Sequence, residues 1–117
     1  MDLPNHVSPH FLARASHIVT ESEKTLEAKL RKGVEKRGGM ALKLSAQLHR
    51  GLPDRLILMP GGRAYFAEIK TTGKKPTKLQ EKCHRELRAL GFTVWVVDST
   101  QRLENFLTII GILSMDL

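Results

Sequence analysis

An aspartate that follows a proline, Pro53-Asp54, stands fourteen residues before the triplet Glu68-Ile69-Lys70. In extended backbone, side chains alternate between faces, so Phe66, Glu68 and Lys70 share one face and Tyr65, Ala67 and Ile69 the other. A carboxylate and an ammonium side by side among apolar neighbours are costly unless they are paired, solvated in a cleft, or used. The flanking segments RLILMP (55–60) and AYFAEIK (64–70) meet at a Gly-rich turn and read as a hairpin. Such a hairpin can return Asp54 to the neighbourhood of Glu68, and converging carboxylates repel unless a cation lies between them. Mg2+ suits this inventory, because it takes one or two carboxylates together with waters and a substrate phosphate. Lys70 would then position or deprotonate an attacking water, or offset charge on the phosphorus centre. The alternative is a surface salt bridge beside a turn aspartate. Acid-x-Lys alone does not decide, since chance supplies about one such triplet in a chain of this composition. A second, Glu27-Ala28-Lys29, is present.

The elements that must position these residues follow from hydrophobic spacing. Leu26, Leu30 and Val34 recur every four residues between a capping Ser22 and Gly38-Gly39, which predicts an amphipathic helix. MALKL (40–44) reads as a first strand, followed by the two hairpin strands and a polar loop, TTGKKP. Thr77 opens a second helix with Leu79, Cys83, Leu87 and Leu90 on one side and Gly91 at its stop. FTVWVVD (92–98) is a buried strand, rich in β-branched residues. The tail, 103–117, is apolar enough for a short helix packed on the core or on a second subunit, and 106–113 is the expected part of a dimer surface. The fold class is therefore α/β: a mixed central sheet flanked by helices, in the order α-β-β-β-α-β plus a C-terminal helix. Residues 1–20 show neither period and are expected to be an arm or short helix, with 21–117 forming one domain. His6, His10 and His17 have no carboxylate or cysteine at ligand spacing, so no metal site is expected there.

Charge is unevenly placed. The chain of 117 residues carries a formal charge of +7, but 17 of its 19 bases and 8 of its 12 acids fall in 21–88, leaving +9 there. A phosphate-binding surface needs such concentration, because affinity for DNA comes largely from released counterions; a solvated charged face has the same composition. With one Trp, one Tyr and four Phe, a binder that stacks base after base on rings is poorly supplied. One cysteine excludes an internal disulfide framework and a multi-cysteine zinc site. Neither a secretory signal nor a membrane-spanning run is visible, so a cytoplasmic protein is expected.

The ordered set GLPD (51–54), RLILMPGGRAYFAEIK (55–70) and KKPTKLQ (74–80) resembles the VRR-NUC domain, a branch of the PD-(D/E)xK nuclease superfamily. The resemblance covers roughly 20–100 and extends to LGFTVWVVD (90–98). It implies a restriction-endonuclease-like core and a Mg2+-dependent endodeoxyribonuclease in which Mn2+ substitutes. Asp54 and Glu68 match the metal ligands, the main-chain carbonyl of Ile69 is a further ligand, Lys70 is the motif lysine, and Gln80 faces the site. The family's first helix contributes a glutamate, reached through water, for which Glu27 is the better match. At roughly 100° per residue, Glu27 lies about 100° from Leu26, bordering the apolar stripe, while Glu23 lies at about 60° and competes for the role. Lys43, His49, Arg50, Lys74, Lys75 and Lys78 are candidate DNA contacts, with loop or strand solvation as the alternative for each. Cys83 reads as a buried structural cysteine and His84 receives no role. Free-standing domains of this family resemble phage or prophage proteins, acting in the host cytoplasm as homodimers that cut branched DNA such as four-way Holliday junctions. A structure-selective DNA-binding module without turnover, or an RNA-directed nuclease, are the alternatives.

Overall fold

The four-residue recurrence of Leu26, Leu30 and Val34 forms a helix, α1 (Glu23–Lys36), in the computed structural model, which describes residues 22–45, 47–71 and 73–115. Ser22 caps it by accepting from the Thr25 N–H, Glu23 lies in the first turn and Lys36 in the last, as the helix dipole favours. The chain continues through β1 (Met40–Lys43), β2 (Arg55–Met59), β3 (Arg63–Ile69), α2 (Lys78–Ala89), β4 (Thr93–Val97) and α3 (Thr100–Ser114). The expected arm at 1–20 lies outside the described residues.

The sheet order is β1-β2-β3-β4, with the first three strands antiparallel and β4 parallel to β3. Parallel neighbours need a crossover, and α2 supplies it. Register assigns the faces. Lys43 pairs with Arg55 and Arg55 with Ala67, so these three share a face, and Glu68 projects from the opposite one. Ile57, Met59, Tyr65, Ala67 and Ile69 line the first face and are buried by Leu26, Leu30 and Val34 of α1 and by Leu103, Phe106, Leu107 and Ile110 of α3. Phe106 is the centre of this layer: it meets Tyr65 edge-on and Trp95 at a tilt, with centroids 6.1 and 5.3 Å away. Fully burying such a ring contributes about 1.5–3 kcal/mol. Gly33 lets α3 approach α1, since a β-carbon there would overlap the Leu107 side chain.

Three expectations change. The tail helix begins at Thr100, because Ser99 accepts from the Arg102 N–H and caps it. Phe106, Leu107 and Ile110 are spent on the molecule's own core, so 106–113 is not a free surface for a second subunit; Ile109, Ile112 and Leu113 are the apolar side chains it leaves exposed. On α2 the inward stripe is Gln80, Cys83, His84 and Leu87, while Leu79 and Leu90 are 42% and 75% exposed. The helix is rotated toward its polar residues, for a reason found on β3.

Candidate active site

Asp54 follows a fully buried Pro53 and is anchored through both its main chain and its side chain. Its carbonyl accepts from Leu44 N at 2.8 Å, and its Oδ2 accepts from the Ile69 N–H at 2.7 Å. Pairing between β2 and β3 stops at Arg55 and Ala67, so the aspartate side chain takes the next donor on β3 in place of a strand. On the other edge, Lys70 N donates to Val97 O at 2.9 Å. The end of β3 is therefore held from both sides, and Glu68 and Lys70 are fixed with it.

Gly51 brings the Pro-Asp turn against α2. It has φ +80°, and a β-carbon there would overlap the backbone carbonyl of Leu79. This close approach sets the start of α2 over Glu68. Thr77 and Gln80 form a capping box: Thr77 Oγ1 accepts from Gln80 N, and Gln80 Oε1 accepts from Thr77 N at 2.8 Å. With its oxygen occupied, Gln80 presents its amide nitrogen, which donates to Glu68 Oε2 at 3.2 Å.

Glu68 is 1% exposed and carries most of the site's electrostatic tension. Lys70 Nζ lies 3.8 Å from Oε2, and His84 Nε2 lies 3.5 Å from Oε1. Burial, then the charge of Asp54 and a hydrogen bond shared with it, raise the Glu68 carboxyl from 4.5 to about 8; Lys70 opposes the shift and Glu23 adds to it. Glu23 of α1 thus adds to the negative field at Glu68. Burial, then the charge of Arg88, lowers the His84 imidazole below its ordinary 6.5. Cys83 is buried beside it, and burial, then the charge of Glu86, raises its thiol, which suits packing and not nucleophilic attack.

The acid pair, Lys70 and Gln80 come together as expected. Lys43 does not join them: the β1–β2–β3 register puts it on the face opposite Glu68. His49 and Arg50 line a cleft of about 470 Å³ with Gln47, Leu48, Leu79, Lys82 and Glu86. Lys74, Lys75 and Lys78 are exposed on the loop and helix start that follow β3. Sequence reasoning missed Lys82 in the cleft and His84 at the site. The signal for His84 was its spacing, four residues after Gln80 and so on the same helical face.

Whether this arrangement suits a divalent cation can be judged from its donors. Among the described residues no group of three or more His, Cys, Asp and Glu side chains is arranged to hold a metal ion. Two carboxylates do converge, and Glu68 Oε1 is buried without a hydrogen-bond partner. An anionic oxygen pair that resists joint ionisation, with one lone acceptor, fits a hard cation that completes its shell with main-chain oxygens and water.

No family model matches the chain. It is 44% identical over 77 residues to a protein of Acyrthosiphon pisum secondary endosymbiont phage 1 described as "Putative nuclease p44", a stretch that spans 66% of this chain and 83% of that protein. A solved structure described as a VRR_NUC domain superposes with a TM-score of 0.70 at 30% identity, covering 74% of this chain and 94% of the other. The phage nuclease shares the chain's sequence over most of its own length, the VRR_NUC domain shares both its fold and its sequence, and on these grounds the chain belongs to the VRR-NUC nuclease family.

Proposed function

We propose that the chain is a divalent-metal-dependent DNA endonuclease, using Mg2+ or Mn2+, with selectivity for branched DNA. The observation that carries this reading is the convergence of Asp54 and Glu68 at the end of β3, where burial and their mutual repulsion raise Glu68 to about 8 beside Lys70. Asp54 and Glu68 would hold the cation. A residue in a strand exchanges its N–H and C=O with the same neighbour, and the Ile69 N–H points at Asp54, which supports the Ile69 carbonyl as a further ligand. Glu23 or Glu27 of α1 would complete the acid set through water. When bound, a divalent cation supplies Lewis acidity toward a phosphate oxygen and makes water acidic enough to attack at neutral pH.

The remaining chemistry belongs to the chain's own residues. Gln80 holds one oxygen of Glu68 and so orients the carboxylate. Lys70, mostly buried, places its ammonium where charge accumulates on the phosphate and where an attacking water can be oriented. Exposed Lys74, Lys75 and Lys78, with His49 and Arg50 at the cleft, attract and register the DNA backbone without reading sequence. A preference for four-way junctions follows most simply from a homodimer, since two sites related by a twofold axis match two equivalent strands. The exposed apolar remainder of α3 is one candidate for that contact.

The test is a panel of end-labelled four-way junction, flap and linear duplex DNA incubated with Mg2+, Mn2+ or chelator. Metal-dependent nicks placed symmetrically about the junction are expected. Equal cutting of linear duplex would remove the branch selectivity, and preferential cutting of RNA would redirect the substrate assignment.

A further inference from the structure

His84 is 2% exposed, as deeply buried as Glu68, and nothing in the chemistry above uses it. It lies one turn after Gln80 on α2, and residues four apart on a helix share a face. The two side chains straddle a single carboxylate: Gln80 Nε2 donates to Oε2 at 3.2 Å, and His84 Nε2 faces Oε1 at 3.5 Å. Neither Glu68 Oε1 nor His84 Nε2 has a hydrogen-bond partner among the described residues. Buried polar atoms are rarely left unpaired, and two that face each other at this separation need only a small closure to pair. A donor on one oxygen leaves a carboxylate free to swing about it; a donor on each oxygen fixes its plane.

We propose that His84 is a positioning residue for Glu68, directing its Nε2–H at Oε1 so that the carboxylate is already oriented for a divalent cation. This rests on the metal-dependent reading of the site. Groups that orient a metal ligand typically change metal affinity or activity by about 10–100-fold when removed.

The test is calorimetric titration of Mn2+ into the full chain as wild type, His84→Leu and His84→Gln, with the melting temperature of each recorded in chelator. His84→Leu is expected to weaken Mn2+ binding by about tenfold or more, and its metal-free melting curve shows that the variant is folded. His84→Gln keeps a donor on the same turn and is expected to recover part of the affinity. Should His84→Leu fail to fold, His84→Met against His84→Gln gives the same contrast. A lowered melting temperature with wild-type Mn2+ affinity would make His84 merely structural and overturn the proposal. Wild-type protein that binds no Mn2+ at all would instead remove the metal-dependent reading, and the role of His84 with it.

Discussion

Glu68 is a buried acid that keeps its proton at neutral pH when no cation is present, and this has consequences for stability. Its folded value, about 8, stands above the ordinary 4.5, so the native state binds a proton that the unfolded chain releases. The stability this contributes is complete below about pH 4.5 and is lost as pH rises through about 8. His84 acts in the opposite sense: its value lies below 6.5, so its contribution is complete above 6.5 and lost as pH falls. Above pH 6.5, then, only Glu68 of this pair is changing. Metal-free protein is expected to lose melting temperature steadily from pH 6.5 to 8, and Glu68→Gln to flatten that slope; a wild-type profile already flat in chelator would contradict it. Because the cation must displace that proton, Mn2+ affinity should rise by about tenfold per pH unit below the Glu68 value. Glu68 and Lys70 were legible in the sequence through strand alternation, Asp54 through its place before the hairpin, and Gln80 only through the family resemblance. His84 was not, since its meaning depends on Gln80 already facing Glu68. Spacing on a helical wheel also could not separate Glu23 from Glu27; that depends on where the first turn of α1 sits relative to the end of β3.

At the scale of elements, the site depends on how closely two segments approach. Gly51 packs on the backbone carbonyl of Leu79, so Gly51→Ala must either strain a φ of +80° or push the start of α2 away. The expected outcome is a loss of about 1–3 kcal/mol in a denaturant melt. Cleavage should fall with it, through a displaced Gln80, while DNA affinity at Lys74 and Lys75 on the preceding loop holds; unchanged cleavage would show that Gln80 is not positioned this way. Strand and helix types were readable from periodicity, because β2, β3 and β4 bury alternate or continuous apolar runs against two layers. Facing was harder. Lys43 sits on a strand as expected, yet which face it takes is fixed by its pairing through Arg55 to Ala67, a non-local fact. For α2, the apolar spacing of Leu79, Cys83, Leu87 and Leu90 was right for Cys83 and Leu87 but not for Leu79 and Leu90, since polar Gln80 and His84 are drawn inward by a carboxylate on another element.

For the molecule as a whole, the apolar tail and the basic surface have separate jobs. Phe106 is fully buried against Tyr65 and Trp95, so Phe106→Ala should cost about 3–5 kcal/mol of stability. If 106 lay at a subunit contact instead, sedimentation would change while the unfolding free energy did not. On the proposed function, the excess of +9 in residues 21–88 would serve DNA through exposed groups such as Lys74, Lys75 and Lys78. Replacing all three with alanine should weaken binding to linear and branched DNA alike. It should also reduce the slope of log affinity against log salt by about 0.9 for each phosphate no longer neutralised. The central claim is that Asp54, Glu68 and Lys70 form a metal-dependent cutting site within that surface. Its most direct test is single-turnover nicking of a labelled four-way junction in Mg2+ or Mn2+, comparing wild type with Glu68→Ala and Lys70→Ala at saturating protein. Wild type is expected to cut only with metal, Lys70→Ala to slow by about 10²–10³, and Glu68→Ala to bind the junction without cutting. Wild-type protein that binds the junction tightly and leaves it intact with either metal would contradict the claim.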